Sequence, residues 1–182
     1  MILILGIAFI TGILTKLTDL IEEHGVKLPK YVVWVSGAGY GILIALIIAF
    51  SPELSTLWLA TVAGVLIAGK IDSTGHYLGL GVTILFVLFL GIASVNYYFL
   101  ALFIVVAVSE ELINTQIVDK GKIKHKFLSD VMGLRPILEL TAFLIALYSG
   151  IWLVWFGLLS YDLGYILMAE TGKSFFLKVK AD

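Results

Sequence analysis

The chain has 182 residues, 60% of them hydrophobic and 14% charged, and a net charge of −1. Soluble domains carry roughly 25% charged residues, so a mean hydropathy of +1.07 excludes a domain that covers itself in polar side chains and requires a bilayer as solvent. The charge balance leaves no case for nucleic acid as a partner, and the absence of cysteine excludes disulfides, thiolate-bound metals and thiol catalysis.

The N-terminal segment MILILGIAFITGILTKLTD lacks a basic leader and an A-x-A-like cleavage site, so it reads as a retained first span over residues 2–19. After the loop EEHGVKLPK comes a second span at 31–50. Ser51, Pro52 and Glu53 then supply a helix cap, a proline at the first helical position and an acid in the first turn. They open a third span, 52–70. Spans at 76–93 and 97–118 are joined by the tight Ser94-Val95-Asn96 turn. DKGKIKHK (119–126) is the one strongly hydrophilic loop.

The apolar region 127–169 is too long for one crossing of a ~30 Å core at ~1.5 Å per residue. Ser149-Gly150 divides it into 127–148, kinked near Pro136, and 151–169, followed by a basic tail. The expected fold is therefore an all-α, polytopic transmembrane helix bundle forming one domain over 1–182. Seven spans are expected, with six as the alternative.

With the N-terminus outside, every Lys and Arg falls on the inner side: Lys16, Lys27, Lys30, Lys70, the lysines of 120–126, Arg135 and the tail lysines. A six-span arrangement would strand the tail lysines outside. The positive-inside pattern thus favours seven spans and a cytoplasmic C-terminus; the expected location of such a multi-pass protein is the plasma membrane. Small residues repeat every four positions at Gly37 and Gly41, and at Ala60, Gly64 and Ala68. Such stripes let helices approach closely in lipid. Packing within the chain accounts for them, with a homo-oligomer face as the alternative.

Charges inside spans cost at least ~2.5–3.5 kcal/mol each on insertion scales, so they direct attention to function. Thr11, Thr15 and Asp19 form a stripe on the first span, beside Lys16. Lys70 and Asp72 end the third, and His76 follows. Glu110 and Glu111 sit well inside the fifth span, where Glu110 shares a face with Asn114. The sixth carries Asp130, Arg135 and Glu139. Each histidine (His24, His76, His125) trails an aspartate (Asp19, Asp72, Asp119), a weak hint of a repeated hairpin.

Carboxylates and bases converging at one membrane face suit a divalent cation together with a phosphate. Mg²⁺ is the expected ion, since it takes oxygen ligands and is commonly shared with substrate phosphates. The leading expectation is a membrane-embedded transferase or hydrolase acting on a phosphorylated lipid or isoprenoid at the cytoplasmic face. Asp19, Asp72, Glu110 and Asp130 are the candidate metal ligands. Lys70, Arg135, Asn114 and Lys16 would bind substrate, and Glu110, Glu111, Asp130, Glu139 and His76 carry the chemistry.

Structural readings stand beside these. Asp19, Lys70 and Asp72 can simply mark helix ends, and Arg135 and Glu139 can form a structural ion pair. The lysines of 120–126 suit topology and contact with membrane lipids. A small cation- or proton-coupled transporter is the alternative function, weakened by the apolar outer halves of the spans. An accessory subunit of a membrane complex is the third.

Several membrane-protein motifs are missing. The last span has no lysine for a retinal Schiff base, and no H-E-x-x-H occurs. Tyr161-Asp162 resembles the first motif of presenilin-like aspartyl proteases, but the G-x-G-D partner is absent. The aspartate-rich motifs of UbiA-type prenyltransferases and CDP-alcohol phosphotransferases are absent too.

Overall fold

The structure is a computed structural model that describes residues 1–23, 25–69, 71, 73–114 and 136–178, with 173–178 described as backbone. His24, Lys70, Asp72, Asp130 and Arg135 lie outside the described residues, as does the 119–126 loop with His125. Among the described residues the fold is all-α, with seven helices: α1 (Ile2–Glu22), α2 (Lys30–Phe50), α3 (Pro52–Ala68), α4 (Thr74–Leu90), α5 (Tyr97–Ile113), α6 (Pro136–Ser149) and α7 (Leu153–Lys178). Helices α1, α2 and α7 are long and apolar enough to cross a membrane, while α3, α4 and α6 are shorter apolar helices.

Local chemistry sets the helix ends. The Ser51 hydroxyl accepts from the Leu54 amide, with Pro52 opening α3. Gly69, at φ 65°, closes α3 in the left-handed conformation that glycine adopts without a Cβ penalty. Gly150, at φ 74°, separates α6 from α7 at the expected Ser149-Gly150 break. Asn96 caps α5 by accepting from the Tyr98 and Phe99 amides. Pro136 stands at the start of α6, where its missing N–H costs nothing. The expected kink there concerns preceding residues that lie outside the described ones.

Acids borrowed from neighbouring helices cap two other helix starts. Both Glu22 carboxylate oxygens accept from the Gly75 amide at the start of α4, at 3.1 and 3.0 Å. Both Glu110 oxygens accept from the first turn of α6, from Ile137 at 2.8 Å and Leu138 at 3.0 Å. A carboxylate at a helix N-terminus satisfies amides that have no partner within the helix and complements its dipole.

The helices α1, α2, α3, α5, α6 and α7 each pack on the next, and α7 returns to α1, forming a ring. Helix α3 also touches α7, and α4 lies along α2 and meets α1. Glycines set the closest approaches. A Cβ at Gly12 would overlap the Tyr161 carbonyl, and one at Gly164 the Phe9 carbonyl, so α1 and α7 run parallel in near-backbone contact. Gly37 faces Gly75 and Gly41 faces Gly79, so α2 and α4 are also parallel. Gly64 of α3 meets Ala107 of α5. The glycines of the small-residue stripes read from the sequence are thus occupied within the chain.

Candidate functional site

The Gly12–Gly164 crossing carries α1 onward with its polar stripe turned toward α7. Asp19, 7% exposed, is the centre of a hydrogen-bonded network across four helices. Its Oδ2 accepts from the Tyr165 hydroxyl of α7 at 2.6 Å, and its Oδ1 accepts from His76 Nε2 of α4 at 2.8 Å. The other ring nitrogen, His76 Nδ1, lies 2.9 Å from the Tyr40 hydroxyl of α2. Lys16, itself buried, donates to the Tyr165 hydroxyl at 3.0 Å, stands 3.5 Å from Asp19 Oδ2 and sits over the Tyr165 ring. The buried Thr18 and Ser36 hydroxyls join α1 to α2 at 2.8 Å alongside.

Helix packing places these groups. The Gly37–Gly75 approach brings the start of α4 onto α2, and Glu22 pins that start to α1, so His76 emerges beside Asp19. Gly79 leaves room for the Tyr40 phenol, which a Cβ there would overlap.

Glu23 continues the Thr11–Thr15–Asp19 spacing by one more step. Asp19, Glu23 and His76 each offer a ligand atom, all within 4.8 Å of one another, in an arrangement that could hold a metal ion. The three line a cavity of about 360 Å³ with Tyr40, Glu111, Asn114, Trp58, Tyr161, Asp162 and Tyr165. Its apolar wall comes from Ile44, Leu57, Val62, Val65, Leu80 and Leu158. Two polar atoms of this lining are buried without a protein partner among the described residues, Trp58 Nε1 and Asn114 Oδ1.

The cavity lies toward the end of the bundle where α1 and α5 finish and α4 begins. Toward the opposite end, Ile47, Ile48 and Leu54 are fully buried in the apolar core, and Phe103, nearer the middle of α5, almost so.

The structure brings Asp19, His76, Glu111 and Asn114 to one cavity and sets Lys16 behind Asp19. It does not bring Glu110 or Glu139 to that lining. Glu110, 1% exposed, caps α6. Glu139 accepts from Trp155 Nε1 at 3.0 Å, near the aromatic cluster of Phe143, Trp152 and Trp155. The Thr11 and Thr15 hydroxyls are spent on the carbonyls four residues earlier.

Sequence reasoning missed Glu23, Tyr40, Trp58, Asp162 and Tyr165. The four-residue spacing of α1 could have found Glu23. No pattern separates Tyr40 or Tyr165 from ordinary aromatic residues of an apolar helix. Comparison with known protein families, curated proteins and solved structures finds no match for this chain.

Proposed function

We propose that this chain is a seven-span protein of the cell membrane, N-terminus outside. We further propose that it acts as a cation-dependent enzyme on a phosphorylated lipid or isoprenoid at its cytoplasmic end. The observation that supports this best is the Asp19–Glu23–His76 cluster in a cavity whose remaining walls are part polar and part apolar. A metal ion held there would orient a phosphate oxygen and stabilise charge developing on it. Glu111 and Asn114 line the same space and would contact the substrate near its head group, while Ile44, Val62, Val65 and Leu80 offer a surface to the lipid tail.

Lys70 and Arg135 remain the proposed phosphate-binding cations on sequence grounds, and Asp72 and Asp130 further carboxylates of the same end. The direction of the helices supports the bundle. Exposed aromatic residues flank both ends, with Tyr31, Trp34 and Tyr77 near the cavity and Tyr97, Tyr98, Tyr148 and Trp152 opposite. Such belts suit the two membrane interfaces. The closed apolar core beyond the cavity weighs against a transport path and in favour of chemistry at one face.

The test is turnover of phosphorylated lipids and prenyl diphosphates by the purified protein in detergent or nanodiscs, with and without chelator. Chelation should abolish activity, and Asp19→Asn and Glu111→Gln should each lower kcat at least a hundredfold. Full activity in the chelated protein, or in Asp19→Asn, would overturn the proposal.

A further inference from the structure

We infer that the ion at this site is a borderline transition metal of the Zn²⁺ type, bound through His76 Nε2, and that Tyr40 is the residue that positions His76 for it. The inference deepens the proposed cation site and rests on it. It departs from the Mg²⁺ that carboxylates alone would suggest, because Mg²⁺ takes oxygen ligands while an imidazole suits zinc, iron and similar ions.

The geometry needs little adjustment. Asp19 Oδ1 and His76 Nε2 stand 2.8 Å apart. Two ligands about 2.1 Å from a common ion are separated by roughly 3.0–3.4 Å at octahedral to tetrahedral angles, so a shift of a few tenths of an ångström admits it. Glu23 is exposed beyond the last turn of α1 and can close on the third position. Two carboxylates and one imidazole leave positions open for water and substrate, the pattern of a catalytic rather than a structural site.

The surrounding hydrogen bonds fit a ligand set. Tyr165 holds the second oxygen of Asp19 and so fixes which oxygen faces His76. Binding through Nε2 requires that nitrogen to give up its proton and Nδ1 to carry one. Tyr40 serves both states. Its hydroxyl lies 2.9 Å from Nδ1, and the Gly75 and His76 carbonyls lie 3.5 and 3.4 Å from it. It can therefore donate to Nδ1, or accept from Nδ1–H while turning its own proton toward a carbonyl. Partners of this kind orient metal-bound imidazoles.

A separate observation points to a ligand in the same cavity. Trp58 lines it while only 4% exposed, and its indole N–H has no acceptor among the described residues. An indole can only donate, so it suits an oxygen of a bound substrate.

The experiment is titration of the chelator-stripped full chain in nanodiscs with Zn²⁺, Mn²⁺ or Mg²⁺ alone, read by calorimetry and thermal shift. Zn²⁺ should bind at least a hundredfold more tightly than Mg²⁺, with Mn²⁺ between them and serving as the spectroscopic probe. His76→Gln should remove that preference, and Tyr40→Phe should weaken Zn²⁺ about 10–100-fold while leaving Mg²⁺ unchanged. Pulsed electron paramagnetic resonance of the wild-type Mn²⁺ complex should show imidazole nitrogen coupling, a readout that survives even if a variant fails to fold.

Mg²⁺ binding as tight as Zn²⁺, or a Mn²⁺ complex without nitrogen coupling, would overturn the inference and leave the cation-dependent enzyme standing. Failure of the wild type to bind any of the three ions would overturn both.

Discussion

Two adjacent acids on one helix end up with different work. Glu110 and Glu111 read alike in the sequence, as charges too costly to leave inside a span without a partner. Glu110 spends both oxygens on the amides of Ile137 and Leu138, whereas Glu111 lines the cavity. Glu110→Ala should therefore cost about 2–4 kcal/mol, because it strands two amide donors at the start of α6, one buried and one part-buried, while Zn²⁺ affinity measured on the folded fraction stays within twofold. Glu111→Gln should do the reverse, keeping stability and losing turnover. Thermal unfolding and metal titration of the two variants separate the roles, and loss of metal affinity in Glu110→Ala would return Glu110 to the site. Asp19 and His76 were legible because charge and imidazole stand out in apolar helices. Their partners were not, since Tyr40 and Tyr165 are chemically ordinary for such helices and acquire a role only when α2 and α7 bring them within hydrogen-bond reach.

Among the helices, glycine decides which faces meet. The sequence shows the Gly37–Gly41 spacing, and Gly75–Gly79 repeats it. Spacing alone cannot say that these two stripes face each other, because any small-residue face can receive any other. Gly12 and Gly164 follow Ala8 and Ser160 at the same spacing, and they make the crossing that sets Tyr165 against Asp19. Gly12→Ala would drive a Cβ into the Tyr161 carbonyl, which is backbone and cannot rotate away. Separation of α1 from α7 should cost roughly 1–3 kcal/mol and weaken metal binding by pulling Tyr165 off Asp19. Gly6 lies on the same helix with nothing near its missing Cβ, so Gly6→Ala should be neutral or slightly stabilising, given alanine's better helix propensity. Equal melting temperatures for the two variants would show that the crossing is not as close as described.

For the whole molecule, sequence and structure constrain different things. Helix positions were legible because apolar runs, caps and glycine breaks are local. The ends moved by a few residues where neighbours intervened. Helix α1 continues past Asp19 to Glu22, whose carboxylate is held by the start of α4, and α4 stops at Leu90, before Gly91. The structure adds helix directions. Helices α1 and α7 run parallel, as do α2 and α4, and Asn96 beside Thr56 with Ala107 beside Gly64 makes α3 and α5 parallel too. Alternating directions of this kind are those of an up-and-down helix bundle.

Tyr31 and Phe50, the exposed ends of α2, lie roughly 28 Å apart along its axis at ~1.5 Å per residue, close to the ~30 Å thickness of a hydrocarbon core. Because the chain has no cysteine, single cysteines report sidedness without a background. Ser94→Cys, in the turn between α4 and α5, should react with an impermeant maleimide applied to intact cells. Lys27→Cys, exposed between α1 and α2, should react only after permeabilisation. The cavity end holds Asp19, His76 and the loop carrying Lys27, so the same measurement places the candidate site on the cytoplasmic side. Labelling of Lys27→Cys in intact cells would invert the molecule and expose the cavity to the outside, where a cytoplasmic phosphorylated lipid could not reach it.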